Sequence, residues 1–289
     1  MKKTFSFSLI LLLSISFLAQ DYWQQQISYK MHIDFDHDNH QFSGIQEITY
    51  YNNSPENLDK LFMHLYYNAF QPGSMMDVRS RTIEDPDSRV EDRIAKLSKN
   101  EIGFQKIESI NNSKGEKLSF NEDGTILGII LNKPLKSGKS IKLTVNFNAQ
   151  VPVQIRRTGR YNKENVAYSM TQWYPKMCEY DKHGWHTNPY IGREFYGVWG
   201  DFEVNIAIDS SFVLGGTGVV QNPQEVGHGY QDPNKKLKLN SSKKLVWEFK
   251  AENVHDFAWA ADPDFLHETT KLENGTILHF LHKDDSLNH

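Results

Sequence analysis

Hydrophobic and polar residues alternate strictly over residues 27–35. A period of two is typical of a β-strand with one buried face and one solvated face. Residues 36–39 (Asp-His-Asp-Asn) then favour a turn, and an apolar strand pattern returns over residues 45–51. The sequence therefore predicts a β-hairpin near the start of the folded chain.

The same alternation recurs farther along the chain. The further strands that it predicts are residues 141–147, 202–208, 245–249 and 276–281. Clusters of Asn, Gly, Ser and Pro separate these runs, as in a large antiparallel sandwich. The only helical turn that the pattern predicts lies at residues 87–97, a charged and partly amphipathic stretch. We therefore expect an all-β fold.

The composition supports a sheet-rich globular chain and limits the classes of partner that we expect. Aromatic residues make up 12% of the 289 residues, and such side chains suit half-buried pleated surfaces. The formal net charge is -4, so a basic surface for nucleic acid is absent and we expect no nucleic-acid partner. The single cysteine, Cys178, excludes an internal disulfide framework.

The first residues have the parts of a secretory signal peptide. Lys2 and Lys3 precede an apolar run that starts at Leu9, and the small residue Ala19 closes the segment. The run is shorter than the roughly 20 residues that span a bilayer, so we expect no transmembrane segment. A buried N-terminal strand or helix is the alternative. We predict that residues 1–19 are removed on export, which makes the mature protein periplasmic or extracellular.

Several catalytic motifs are absent from the sequence. Neither the G-x-S-x-G turn of serine hydrolases nor a phosphate loop ending in G-K-[ST] occurs. The glycine-rich residues 215–218 are not followed by a helical pattern, so they predict a tight strand connection instead of a dinucleotide site. His267 and Glu268 begin an H-E-x-x pattern, but Lys271 stands where a second zinc ligand is needed. We interpret this near-motif as a turn.

One short segment gathers possible metal ligands, namely Cys178, Asp181, His183 and His186. Thiolate, imidazole and carboxylate groups at such spacing could bind zinc. The Tyr, Gly and Trp residues among them are instead typical of an ordered loop packed by aromatic rings. A metal enzyme that uses Cys178, His183 and His186 is thus one alternative function.

Six short segments share their order and spacing with one known family. They are residues 35–44, 51–54, 65–70, 170–175, 200–204 and 254–261, which read FDHDNHQFSG, YNNS, LYYNAF, MTQWYP, GDFEV and VHDFAWAA. Together they resemble the N-terminal part of an aminopeptidase N-type zinc metallopeptidase of the gluzincin family. The resemblance covers nearly all of the mature chain. It implies a large saddle-like antiparallel β-sandwich that precedes a thermolysin-like catalytic domain.

The resemblance also implies how the chain divides and what it lacks. Residues 20–265 are expected to form the N-terminal β domain, and residues 266–289 the first strand of the catalytic domain. That family's catalysis uses H-E-x-x-H, a later glutamate ligand and a Gly-x-Met-Glu-Asn-like strand, none of which occurs in this sequence. We therefore expect no catalytic residue, no metal ligand and no hydrolysis in this chain alone, with zinc only in the full-length enzyme. The expected partners are a following catalytic domain of the same polypeptide and a peptide substrate.

Three substrate-binding residues follow from the resemblance. Gln172 matches a family Gln, in a Thr-Gln step, on a loop that reaches the active-site cleft. Two positions later the family often has an acid or amide that helps to bind the substrate amine, and this sequence departs from that pattern with Tyr174. We expect the Gln172 amide to hydrogen-bond the substrate, with Trp173 and Tyr174 lining an apolar side-chain pocket. The alternative for Gln172 is a structural role in the turn.

A free-standing β-sandwich module is the second alternative function. It would bind a peptide or a glycan on Trp173, Trp185 and Trp199, and coplanar exposed rings on one sheet face would favour it.

The leading hypothesis makes a different prediction about the surface. A following domain needs an exposed apolar docking face, and the concentration of Phe257, Trp259 and Phe265 predicts this face within residues 254–265.

Overall fold

The computed structural model describes residues 22–192, 196–238 and 242–284, so the predicted signal peptide lies outside the described residues. Within these ranges the helices are α1 (Met75–Thr82) and α2 (Pro223–Val226), with short 3-10 helices at Tyr66–Ala69 and Ile94–Lys96. The strands, in chain order, are β1 (Gln26–Asp36), β2 (Gln41–Asn52), β3 (Leu58–His64), β4 (Phe104–Asn112), β5 (Ser119–Asp123), β6 (Ile126–Leu135), β7 (Lys139–Gln150), β8 (Gly159–Arg160), β9 (Tyr168–Met170), β10 (Lys176–Met177), β11 (Tyr180–Asp181), β12 (Gly184–Trp185), β13 (Gly200–Asp209), β14 (Val213–Gly216), β15 (Val219–Val220), β16 (Lys244–Val254), β17 (Trp259–Asp262), β18 (Leu266–Lys271) and β19 (Ile277–His282).

Strands dominate the described chain, and most neighbouring strands run antiparallel. The largest sheet has seven strands in the order β15-β16-β13-β1-β2-β7-β4, and its β1–β13 pair is parallel. Two four-stranded sheets follow the orders β10-β3-β6-β5 and β14-β17-β9-β8. The predicted all-β class is therefore confirmed.

The β1–β2 hairpin forms as the alternation predicts. The apolar residues of β1 are buried and their neighbours face solvent, because successive side chains of a strand point to opposite faces. The Asp36 carboxylate accepts the backbone N–H groups of Asp38 and Asn39 at 3.1 and 3.2 Å, which closes the turn. The predicted strands at residues 141–147, 202–208, 245–249 and 276–281 correspond to β7, β13, β16 and β19.

The two smaller sheets cover the inner face of the seven-stranded sheet. The backbone N–H of Met177 in β10 donates to the Tyr29 hydroxyl at 3.0 Å, and the ring centres of Phe35 and Trp259 in β17 are 5.7 Å apart. Burial of one such aromatic side chain stabilises the fold by about 1.5–3 kcal/mol. The core between the sheets is therefore largely aromatic.

The helical turn predicted at residues 87–97 forms only as a short 3-10 helix, and the sequence pattern missed the helix α1. Residues 87–97 form turns and the 3-10 helix Ile94–Lys96, whereas the eight-residue helix α1 lies earlier, at Met75–Thr82. The Ser74 hydroxyl caps α1 by accepting the Asp77 N–H at 3.2 Å. A Ser-x-x-Asp cap was therefore the signal in the sequence that could have located this helix. No helix in the described ranges is long and apolar enough to cross a membrane.

The hairpin β18–β19 forms a sheet of its own. His267 and Glu268 therefore lie on a strand, and the prediction of a turn there is wrong. Register places His267, His279 and Leu281 on an inner face, where His267 Nε2 and His279 Nδ1 are 2.9 Å apart. The other face, here called the outer hairpin face, carries Leu266, Leu278 and Phe280, which are 47%, 37% and 50% exposed.

The predicted apolar docking face at residues 254–265 is wrong in its placement. Phe257 and Trp259 are buried, because this segment and β17 lie against the inner face of the large sheet. Their rings lie 6.0 Å from Phe202 and 6.1 Å from Trp173, centre to centre. Among the exposed apolar side chains near the end of the described chain are those of the outer hairpin face, which also carries Glu268, Thr270 and His282.

Candidate functional site

The loop between β9 and β10 packs against the segment that joins β16 to β17. Gln172 in this loop has a φ of 55°, in the left-handed region that non-glycine residues seldom adopt. The Trp173 indole N–H donates to the Phe257 carbonyl at 2.9 Å, and the Tyr174 hydroxyl donates to Asp256 Oδ1 at 2.7 Å. Two side-chain hydrogen bonds thus fix the loop that carries Gln172.

Lys176 joins the same two segments with a buried charge. Its ammonium donates to the His255 carbonyl at 2.8 Å and lies 3.5 Å from Asp256 Oδ1. Burial lowers the pKa of Lys176, and the Asp256 carboxylate opposes that shift. Loss of the Asp256 carboxylate would cost up to about 3–5 kcal/mol, since the Lys176 ammonium would stay buried without its counter-charge. The contacts of Lys176 therefore help to fix the conformation of the loop between β9 and β10.

The Gln172 amide is buried and only partly satisfied. Its Oε1 accepts the Tyr190 hydroxyl at 3.3 Å, whereas its Nε2 has no hydrogen-bond partner within the described ranges. An unsatisfied buried donor costs about 1–3 kcal/mol, so such groups are rare in native proteins. A carbonyl oxygen from a ligand or from another domain would satisfy this donor.

A surface cavity of about 460 Å³ adjoins Tyr190, the partner of Gln172. It lies between the end of β3, the helix α1 and the loop before Gly192. The side chains that matter for its chemistry are His64, Tyr66, Arg79, His186, Tyr190 and Tyr196. Its volume is within the range of about 300–1,000 Å³ that is typical of small-molecule sites.

His64 contributes a neutral imidazole to this cavity. The side chain is nearly buried, and burial lowers its pKa to about 4, with the Lys176 charge acting in the same direction. The ring stacks on Tyr66 with centres 4.9 Å apart. His64 Nδ1 is buried and has no hydrogen-bond partner in the part of the chain that the structure describes.

Helix α1 brings a guanidinium to the cavity. Its last turn carries Arg79 and Arg81. Arg81 is paired with Asp77, with Nε 2.9 Å from Oδ1. Arg79 is exposed, lines the cavity and forms no salt bridge with any described residue.

A second, smaller cavity of about 290 Å³ carries both acidic and basic side chains. Glu179, Asp181, Lys182 and His183 are among its lining residues. Glu179 is only 7% exposed, and burial raises its pKa to about 7. Glu179 is therefore only partly ionised at neutral pH.

The predicted ligand segment does not form a metal centre. Cys178 is buried, and burial raises the pKa of its thiol. His186 Nε2 lies 2.9 Å from Asp181 Oδ2 and is engaged by that carboxylate. Among residues 22–192, 196–238 and 242–284, no three His, Cys, Asp or Glu side chains are placed to hold a metal ion. The described residues therefore do not fit a zinc ion, and the metal-enzyme alternative is not supported.

The predicted substrate-binding residues lie close together and all three are buried. Gln172 is 1% exposed, Trp173 and Tyr174 are 0% exposed, and none of the three lines either cavity. Gln172 approaches the larger cavity through its bond to Tyr190. A role in binding substrate stays a prediction for all three residues.

The alternative of a free-standing binding module predicted a flat surface of exposed tryptophan rings, and this prediction is wrong. Trp173 is buried, and Trp185 packs on Phe62, with ring centres 5.4 Å apart. Of the three tryptophans in that prediction, Trp199 alone is half exposed, at 50%. These rings cannot form one flat surface.

Sequence reasoning missed His64, Arg79 and Tyr190. They come from three separate parts of the chain, and only the packing of β3, α1 and the loop before Gly192 brings them to one cavity. The available signal was indirect, since the family-like segment at residues 65–70 directly follows His64.

The fold has structural neighbours among zinc metallopeptidases of the M1 type. One is a glutamate-to-alanine mutant of the M1 zinc metallopeptidase of Deinococcus radiodurans bound to Tyr-Ser-Ala, with a TM-score of 0.47 and 11% identity over 89% of this chain and 46% of that chain. Another is a two-domain M1 zinc metallopeptidase bound to L-tryptophan, with a TM-score of 0.46 and 10% identity over 89% of this chain and 47% of that chain. This chain thus spans about half the length of these neighbours. No family model and no curated protein matches the sequence.

Proposed function

We propose that this chain is the non-catalytic N-terminal β domain of an exported zinc metallo-aminopeptidase, an enzyme that removes residues from the N-termini of peptides. One observation supports the proposal most directly. Segments that lie far apart in the sequence, and that each resemble the family, contact one another in the fold. The Tyr67 hydroxyl lies 3.5 Å from Met170 Sδ, and the Tyr174 ring is 5.9 Å from Phe202, centre to centre. Tyr174 also donates to Asp256. Segments 65–70, 170–175, 200–204 and 254–261 therefore form one packed unit around the Gln172 loop.

The proposed role of this unit is to present Gln172 to a peptide substrate. The backbone of Gln172 is held in a left-handed conformation by a buried hydrogen-bond network, and its Nε2 lacks a partner among the described residues. Gln172 is only 1% exposed, so a peptide carbonyl would accept this N–H once the side chains that cover the amide move aside. Trp173 and Tyr174, whose rings are buried, would support the loop from beneath.

Zinc and the residues that act on it would belong to a following domain of the same polypeptide. The sequence lacks H-E-x-x-H, so we propose that this chain alone hydrolyses nothing. In the proposed division, residues 20–265 form the N-terminal domain and residues 266–289 begin the catalytic domain. The outer hairpin face supports this division, because its exposed Leu266, Leu278 and Phe280 offer apolar contacts for packing among the polar residues Glu268, Thr270 and His282.

We further propose that residues 1–19 direct export to the periplasm or the outside of the cell. Their charged, apolar and small-residue parts in sequence support this.

The reading frame downstream of His289 tests the assignment. The proposal predicts an H-E-x-x-H motif within about a hundred further residues, because a zinc peptidase needs imidazole ligands one helical turn apart with a glutamate as base. A stop codon with no such motif before it would contradict the assignment.

A further inference from the structure

We propose that the cavity between β3, α1 and the loop before Gly192 binds a carboxylate that is joined to an aromatic ring. This chemistry occurs in the C-terminal aromatic residue of a peptide and in free aromatic acids. The inference does not depend on the chain being part of an aminopeptidase.

The charge of the cavity favours an anion. Arg79 lines it without a salt-bridge partner in the described ranges, whereas Arg81 on the same helix is neutralised by Asp77. No Asp or Glu is among the described residues that line the cavity. A planar guanidinium binds a carboxylate through two parallel hydrogen bonds, which selects this anion by geometry as well as by charge.

His64 supplies an independent sign of a missing ligand. It is only 6% exposed, and its Nδ1 has no hydrogen-bond partner in the described part of the chain. The neighbouring ammonium of Lys176 is held by the His255 carbonyl and Asp256, so it does not serve His64. A polar group of a bound molecule would satisfy the imidazole.

The walls of the cavity favour a flat apolar group next to the anion. Tyr190 meets Tyr66 edge to face, with ring centres 5.2 Å apart, and the exposed ring of Tyr196 stands at the rim. Aromatic walls bind another ring through offset or edge contacts. A volume of about 460 Å³ is far larger than a lone carboxylate needs, which leaves room for the ring.

Calorimetric titration of this chain at pH 7 tests the proposal with four probes. N-acetyl-tyrosine has both the ring and the carboxylate, N-acetyl-tyrosinamide has the ring without the charge, and N-acetyl-alanine has the charge without the ring. The fourth probe, 3-(4-hydroxyphenyl)propionate, is a free aromatic acid. We expect N-acetyl-tyrosine to bind at least about tenfold more tightly than its amide, because a charge-assisted pair is lost in the amide. N-acetyl-alanine should also bind more weakly.

Variants show whether Arg79 causes the difference. Arg79→Gln should bring the affinity for N-acetyl-tyrosine down to that for the amide. Lys133→Gln, which removes an exposed positive charge outside the cavity, should leave the affinities unchanged. Thermal denaturation of each variant checks that the fold is intact.

Three results would overturn the proposal: equal binding of acid and amide, no binding of either aromatic acid, or undiminished binding by Arg79→Gln. Tighter binding of N-acetyl-tyrosine than of 3-(4-hydroxyphenyl)propionate would support the site and indicate a peptide as the source of the ligand. The reverse order would support it with a free aromatic acid as the source.

Discussion

Glu179 is a carboxyl group in an environment that disfavours its charge. Burial raises its pKa from 4.5 to about 7, so the folded protein holds this proton more tightly than the unfolded chain does. Its contribution to stability is therefore fully present below pH 4.5 and is lost as the pH rises through 7.

Glu179→Gln should remove this dependence on pH. At pH 8 we expect the variant to be more stable than the parent by about 1–2 kcal/mol, a figure reduced because the cavity opens to solvent. At pH 4.5 the two proteins should unfold at nearly the same temperature. Thermal denaturation at both pH values measures the difference, and Glu47→Gln, at an exposed position in β2, is the matched control. If the variant and the parent were equally stable at pH 8, this result would contradict the raised pKa of Glu179.

His64 affects stability in the opposite direction. Its pKa falls from 6.5 to about 4 in the fold, so its contribution is lost as the pH falls through this interval. Both proteins in the Glu179 comparison carry His64, and its effect therefore cancels.

Individual site residues were predictable only where a local pattern marked them. The Thr-Gln step singled out Gln172, and the role in substrate binding that the family resemblance implies for it stays a prediction. The burial of Trp173 and Tyr174 was not predictable, because it depends on Phe257 and Asp256, more than eighty positions away. The sequence alone does not distinguish an aromatic residue that is buried in the core from one that lines a pocket.

Elements with a strict period were predictable. The strands β1, β7, β13 and β16 each alternate buried and exposed residues, and the sequence predicted all of them. Helix α1 was missed because it is short and its sequence has little amphipathic pattern. The hairpin β18–β19 was only half predicted, since β18 is polar and exposed along most of its length.

The two faces of that hairpin should respond differently to substitution. Leu281 on the inner face packs closely on Gly215, where a Cβ would lie 2.9 Å from Leu281 Cδ1. Leu281→Ser should therefore destabilise this chain by about 1–3 kcal/mol. Phe280→Ser on the outer hairpin face should change its stability by less than about 0.5 kcal/mol.

A longer polypeptide, in which the proposed catalytic domain follows His289, gives the complementary test. If a following domain covers the outer hairpin face, Phe280→Ser should destabilise that polypeptide by at least about 1 kcal/mol. Denaturant unfolding of both variants in both polypeptides measures these effects. A loss from Phe280→Ser as large as that from Leu281→Ser in this chain alone would show that the outer hairpin face is already packed.

At the scale of the whole molecule, one large sheet and two smaller sheets hold the Gln172 loop beside the cavity that Arg79 lines. Within the described ranges the Gln172 Nε2 has no hydrogen-bond partner and Arg79 has no salt bridge. The all-β class was predictable, because alternation and turn residues recur along the whole chain. The assembly of three sheets around an aromatic core was not, since no local pattern determines which strands become neighbours.

Hydrolysis of amino-acid arylamides, measured for this chain and for the longer polypeptide with zinc present, tests the proposed division of labour most directly. We predict no turnover by this chain, because its sequence lacks the H-E-x-x-H ligands, and zinc-dependent turnover by the longer polypeptide. Zinc-dependent turnover by this chain alone, or no turnover by the longer polypeptide, would contradict the proposal.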